Sequence, residues 1–319
     1  MHEFELIKDY FQKLSKKTSS ALNLNDDVFF DKKNKLVVSV DTYTKGNHFL
    51  DFKKPDLVIK KIIRSSISDI VCKGVQPKYY FISASGNKKT FSKLNLSKIS
   101  KSLNQEQKKY KIFLSGGDTV FSNKLSFTIT SIGFANSIIY RNKAKINDDI
   151  YVSGNLGDSY MGLLVLRNKI KLNKPLCTYF TNQYFMPNIQ LKLTDQIKKF
   201  ANTSIDISDG LLTDLNKMIN SQKLSYKLDL KNIPISNNLK KVLALNQLSK
   251  INYISNGDDY QILFTASKNK RRIIKRISSN YRIKLTQIGS IGSFGKKSSI
   301  IDNKNRIISL KNKGYFHQF

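Results

Sequence analysis

The residues best suited to chemistry lie at positions 204–215, S-I-D-I-S-D-G-L-L-T-D-L. Ile205 and Ile207 alternate with Asp206 and Ser208, as at the end of a buried strand. Gly210 permits a tight turn, and Leu211, Leu212 and Leu215 follow at helical spacing. Asp206 and Asp209 therefore sit where a strand passes into a helix, near backbone N–H groups that attract anions. Two carboxylates at such a junction can hold a cation against a bound phosphate. Ser208 or Asp209 can equally cap the helix.

Acids are scarce, 23 against 55 lysines and arginines, so their placement carries information. Asp26, Asp27, Asp41, Asp69, Asp118, Asp206, Asp209, Asp258 and Asp259 all fall at strand ends, helix turns or Gly-containing turns. A shared site would explain this, although Asp also favours turns for local reasons. Asp26 and Asp27 repel each other, which a shared cation or a solvated loop would relieve. Asp69 interrupts the apolar end of an Ile-rich helix, where a carboxylate needs a partner, a metal or a place on the helix surface. In S-G-G-D-T at residues 115–119, paired glycines let N–H groups approach phosphate oxygens, with Asp118 beside them to hold a cation. A plain Gly-Gly turn is the competing reading. His48, in a loop after the strand ending at Asp41, and Arg141, in a basic loop, can bind phosphate or lie in solvent. The G-x-x-G at residues 154–157 lacks the full dinucleotide fingerprint and suits close strand–helix packing.

Strands and helices must alternate to position these groups. The spacing predicts an amphipathic helix over residues 4–17, a strand over 36–40 and a helix over 57–71. Further strands are expected at 79–84, 111–114 and 125–135, with a polar helix within 91–110. A boundary falls near residues 142–148. Beyond it come a strand at 149–153, a helix carrying Met161, Leu163, Leu164 and Leu166, and a mostly helical stretch to Phe200 interrupted at Pro187. Strands at 226–230, 260–264, 285–291 and 299–301 and helices at 238–245 and 268–279 complete an α/β organisation. The expected domains are 1–145 and 146–319.

A chain of 319 residues with 40% hydrophobic residues can bury a real core and is not of disordered composition. Glu3, Glu5 and Asp9 are wrong for a secretory signal, and no apolar run approaches the ~20 residues needed to span a bilayer. Cys72 and Cys177 have no metal-ligand spacing or disulfide framework, which points to a reducing cytoplasm. The net charge of +32 invites a nucleic-acid reading. However, the lysines are scattered rather than striped, and the abundance of Lys, Asn and Ile points to A/T-rich codons. No phosphate loop of the G-x-x-x-x-G-K-[ST] type and no protein-kinase signature set is present.

Nine motifs, in register from end to end, resemble those of the thiamine-monophosphate kinase family. That family lies in the superfamily of aminoimidazole ribonucleotide synthetase and selenophosphate synthetase. The motifs are N-D-D at 25–27, V-S-V-D-T-x3-G-N-H-F at 38–49, S-D-I-x3-G-x2-P at 68–77, G-G-D-T at 116–119 and R-x2-A-K at 141–145. They continue with Y-V-S-G-x-L-G-D at 151–158, D-I-S-D-G-L at 206–211, N-G-D-D-Y at 256–260 and K-G-Y at 313–315. The loop with His48 and the terminal K-G-Y favour the thiamine-phosphate branch. The selenium branch should carry a reactive Cys or selenocysteine near the N-terminus, and the first Cys here is Cys72.

The resemblance implies a two-domain synthetase-like fold. Its first domain would pair with a twin through a β-barrel in a homodimer, and its second would be a larger α/β lobe. ATP and several Mg²⁺ would sit in the cleft between them. By motif position, Asp27, Asp41, Asp69, Asp118, Asp206 and Asp209 would hold metal, with Ser39 and the carbonyl of Val40. Asp118 and Asp209 would be the decisive catalytic pair. Gly117, Asp118, Arg141, Ser208 and Tyr110 would contact ATP, and His48, Asp258 and Tyr315 would face thiamine monophosphate. The implied reaction is ATP-dependent conversion of thiamine monophosphate to thiamine diphosphate, with no membrane or specific nucleic-acid partner. Alternatives are another synthetase of the superfamily or a non-catalytic basic nucleic-acid-binding protein. The chain departs from the family pattern on the substrate side. G-I-G-D-D stands as N-L-N-D-D, with Asn23 and Asn25 for glycines. Asp258 replaces a longer Glu, Asn312 a Trp, and Val40 a Thr.

Overall fold

The computed structural model describes residues 3–302 and 304–308. Two short helices, α1 (Glu3–Leu6) and α2 (Gln12–Ser15), flank a π-helical turn at Ile7–Phe11. The first half then builds a five-stranded sheet from β1 (Phe29–Asp31), β2 (Leu36–Thr44), β3 (Pro77–Gly86), β4 (Phe113–Phe121) and β5 (Ser126–Phe134), ordered β1-β2-β5-β3-β4. Only the β3–β4 pairing is parallel. On one face lie α3 (Pro55–Cys72) and, packed against it, α4 (Lys93–Tyr110). Strand alternation explains the sidedness: Phe127, Ile129 and Ser131 of β5 are buried, while Thr128, Thr130 and Ile132 between them are less so.

The second half carries a six-stranded sheet ordered β11-β8-β10-β6-β9-β7. Its strands are β6 (Asp149–Ser153), β7 (Thr203–Asp206), β8 (Leu224–Asp229), β9 (Ile262–Ala266), β10 (Leu285–Phe294) and β11 (Ser299–Ile301). Its helices are α5 (Asp158–Leu166), α6 (Lys174–Phe185), α7 (Thr194–Ile197), α8 (Leu211–Met218), α9 (Asn237–Leu245), α10 (Lys250–Ile254) and α11 (Arg271–Tyr281). Neither sheet closes on itself among the described residues. No helix among them is long and apolar enough to cross a membrane.

Helix α3 joins the halves. Pro55 starts it where a missing N–H costs nothing. Ile59, Ile62, Ile63, Ile67 and Ile70 are buried along it. Its far end meets β7: Ser204 Oγ donates to the Cys72 carbonyl at 2.6 Å, and Lys73 Nζ to the Ser204 carbonyl at 2.9 Å. One apolar cluster runs from α3 through Tyr184 and Leu193 to Phe264, so the core crosses between the two sheets.

Two expectations change. The N-terminal helix is broken by its π turn, and Phe11 and Leu14 lie exposed rather than packed. Gly116 and Gly117 form no turn; β4 runs straight through them. A Cβ on Gly117, at φ +155°, would stand 1.9 Å from the Ile82 carbonyl oxygen, so glycine admits the neighbouring strand at a register shift.

Candidate active site

Two turns are seated in one another at the centre of the molecule. The strand-to-helix turn at residues 206–210 follows β7, and the N-G-D-D-Y turn at 256–260 precedes β9. Asp258 N donates to the Ser208 carbonyl and Tyr260 N to the Ile207 carbonyl, both at 2.8 Å. A Cβ on Gly257 would meet Ser208 O at 2.1 Å, and one on Gly210 would meet Ser255 O at 2.3 Å. Asp258 and Tyr260 take φ of +61° and +49°, a left-handed backbone costly for non-glycine residues and held here by this interlock. Asp214, from the first turn of α8, accepts the N–H groups of Asp209 and Gly210 at 2.9 and 3.0 Å, fixing the turn from below. Asp259 does the same for the G-x-x-G segment by accepting Gly157 N at 2.9 Å.

Above the interlock opens a cavity of about 480 Å³, bordered by Asp27, Asp41, Asp69, Asp206 and Asp209 with Arg141. Strand β2 presents Asp41, α3 presents Asp69, and β7 with its turn presents Asp206 and Asp209. Ser39 stands behind, its Oγ donating to Asp69 at 2.6 Å. Ser68 donates to Asp206 in a short hydrogen bond. Burial and the charge of Asp206 push the Asp41 carboxyl up to about 7. Burial, then Asp27, push Asp206 up to about 6, and burial with Asp41 raises Asp69 well above the usual carboxylate value. These groups are too close and too dry to be charged together without a counter-ion.

Cations of the chain supply part of that charge. Lys73, fully buried, places Nζ 2.8 Å from Asp26 and 2.6 Å from Asp27. Arg141 reaches Asp27 at 3.3 Å and the Lys217 carbonyl at 2.6 Å, and its backbone N–H donates to Asp26 at 2.9 Å. Burial opposes the charge on Asp27, but Lys73 and Arg141 outweigh it and hold its carboxyl below the ordinary value. The adjacent aspartates are thus paired with lysine and arginine, rather than with solvent. Lys217 pairs with Asp209. The remaining donors, all oxygen, suit a hard cation that keeps several waters, as Mg²⁺ does. Among the described residues no three acidic, His or Cys side chains are grouped closely enough to hold a metal ion by themselves.

The lost glycines near this loop have different consequences. Leu22, Asn23 and Leu24 take φ of +50°, +56° and +51°. Asn is the side chain best suited to that region after glycine. Asn25, at φ −124°, needs no glycine, and its amide bonds Asn220 and Ser221.

His48, Asp258 and Tyr260 line the same cavity. His48 Nδ1 accepts Thr44 N at 3.0 Å, which leaves the proton of the neutral ring on Nε2. Ser208 and the Val40 residue also border the cavity. Gly117 and Asp118 do not: they lie exposed on edge strand β4. Tyr110 is buried under Arg64 and borders a different, larger groove of about 1180 Å³ with Lys78, Lys109 and Lys111, where no carboxylate cluster forms. Tyr315 and Asn312 fall outside the described residues. Lys61, Lys73, Lys217 and Asp214 belong to the site although no sequence motif singled them out.

Residues 24–135 match the family profile described as AIR synthase related protein, N-terminal domain. The thiamine-monophosphate kinase of Buchnera aphidicola from Schizaphis graminum is 32% identical over 99% of this chain and 98% of its own. That of Haemophilus influenzae is 31% identical over 91% and 89%. The solved structure of AaThiL complexed with AMPPCP and TMP superposes with a TM-score of 0.86 at 26% identity, covering 99% of this chain and 97% of that one. The HypE–HypF complex, at 16% identity and a TM-score of 0.75, shares the fold. With matches of this extent to whole relatives, and with the carboxylate-lined cavity in place, the chain belongs to the thiamine-monophosphate kinase family.

Proposed function

We propose that the protein transfers the γ-phosphoryl group of ATP to the phosphate of thiamine monophosphate, giving thiamine diphosphate and ADP. The observation that carries this reading is the cavity itself, which gathers mutually raised carboxylates together with His48 and Asp258. Bringing two phosphate chains together sets anion against anion, so positioning and charge neutralisation do most of the catalysis. Asp27, Asp41, Asp69, Asp206 and Asp209, with Ser39 and the Val40 carbonyl, would hold Mg²⁺, which when bound supplies the positive charge both phosphate chains need. Arg141 and Ser208 hold the nucleotide; His48, Asp258 and Tyr315 hold the acceptor. The division at residues 145 and 146 follows the change from one sheet to the other. We place the reaction in the cytoplasm, where Cys72 and Cys177 stay unpaired.

Given γ-labelled ATP, Mg²⁺ and thiamine monophosphate, the protein should release labelled thiamine diphosphate. Omitting either the acceptor or Mg²⁺ should stop the transfer. ATP consumption with selenide or an aminoimidazole precursor, and none with thiamine monophosphate, would instead assign another reaction of the superfamily.

A second copy of the chain completes this reading. Val120 and Phe121 on β4, Phe81 on β3 and Phe134 on β5 are exposed, more apolar surface than one sheet ordinarily shows to water. Packing two such sheets together would close the barrel, and it is the route by which Asp118 and Gly117 could meet a neighbour's cavity. Phe121→Glu should therefore sediment as a monomer and lose turnover. A variant that stays dimeric, or a fully active monomer, would refute the pairing.

A further inference from the structure

Lys61 is a charge in the core that the phosphoryl-transfer reading leaves unused. It lies midway along α3, with its side chain 1% exposed. Its Nζ sits 2.7 Å from Asp258 Oδ1, across the boundary between the two sheets. The same ammonium lies 3.8 Å from the centre of the Tyr184 ring and 5.9 Å from that of Tyr260, and 3.5 Å from the Tyr184 carbonyl. Tyr260 Oη adds a second bond to Asp258 Oδ1 at 3.0 Å. Burial works to strip the proton from Lys61, and Asp258 opposes that loss.

We propose that Lys61 is a positioning residue for the acceptor: it fixes the Asp258 carboxylate by one oxygen and leaves the other for the cationic heteroaromatic ring of the substrate. This rests on the assignment of thiamine monophosphate as acceptor. The physical argument is one of rotation and charge. Asp258 is shorter than Glu, its backbone is left-handed, and its side chain is 27% exposed, so an unheld carboxylate would turn into water. A buried ammonium under two aromatic faces holds its own place through packing and cation–π attraction. Among the described residues, both bonds to the Asp258 carboxylate fall on Oδ1.

The test compares the wild-type chain with Lys61→Met, Asp258→Asn and the double variant, measuring KM separately for each substrate. Lys61→Met should raise the KM for thiamine monophosphate about tenfold and leave the KM for ATP within about twofold. The double variant should be no worse than the worse single variant, because both changes act on one contact. If Lys61→Met does not fold, Tyr260→Phe removes only the second bond to the same oxygen. It should raise the KM for thiamine monophosphate about two- to fivefold, again without moving that for ATP. Equal rises in both KM values, multiplying effects in the double variant, or an unmoved KM for thiamine monophosphate would overturn the inference. A wild-type chain inactive on thiamine monophosphate would overturn the assignment of the acceptor and this inference with it.

Discussion

Asp206→Asn should cut phosphoryl transfer by about 10²–10³-fold while making the metal-free protein more stable at pH 8. Asp206 is buried between Ser68 of α3 and the neighbouring Asp27 and Asp209, and its carboxyl is pushed up to about 6. A carboxyl whose pKa is raised on folding favours the folded state fully only below its unfolded value, near 3.8. That contribution is lost as the pH rises through about 6. At pH 8 the wild-type fold therefore carries the cost of this buried charge, of the order of 3 kcal/mol. Asparagine keeps the oxygen that accepts from Ser68 and removes the charge. Thermal melts without metal should show the variant above wild type at pH 8 and level with it near pH 4. Mg²⁺ should raise the wild-type melting temperature at pH 8 and do much less for the variant. A variant that is less stable at both pH values would show that Asp206 is held in place for packing rather than for cation binding.

Lys73→Met should be the most damaging single change to the fold, about 3–5 kcal/mol. Its ammonium is the common partner of Asp26, Asp27 and the Ser204 carbonyl, so it binds the N-D-D loop, the end of α3 and strand β7 at one point. Removing it leaves two adjacent carboxylates in a buried site with Arg141 as the remaining cation in direct contact among the described residues. That loss is a large share of the roughly 5–15 kcal/mol that holds a domain folded. Urea unfolding measures it. The exposed Lys78→Met on β3 serves as control and should change stability by no more than about 0.5 kcal/mol. A loss at Lys73 of similar size to the control would mean that the aspartates are satisfied by other means.

The strand-to-helix turn with Asp206 and Asp209 was legible in the sequence because all its signals are local: an alternating strand, a glycine, then leucines at helical spacing. Helix α3 was legible for the same reason. The lysines of the site were not. Lys61 and Lys73 turn inward to meet acids far away in the chain, and among 55 basic residues nothing local distinguishes them from those in solvent. Gly116 and Gly117 misled in the opposite way. Paired glycines ordinarily mark a turn, but here the adjacent strand crowds them both, the Phe81 ring against Gly116 and the Ile82 carbonyl against Gly117. The N-terminal stretch had the period of an amphipathic helix, yet period alone does not supply a surface to pack on, and Phe11 and Leu14 remain exposed. Asp258 was legible only by position; what holds it could not be.

The seating of one glycine turn in the other has a consequence for how the cavity can work. Ser208 and Asp209 on one wall and Asp258 on the other are clamped by backbone bonds and by contacts too tight for any side chain. Separating them during a reaction cycle would break both sets of contacts. Helix α3 is bound to the same wall through Ser204, Lys73 and Lys61, so admission of substrates and escape of products would fall to the rims outside this clamp. The half of the enzyme built on the six-stranded sheet would act as an anvil, stationary through every turnover.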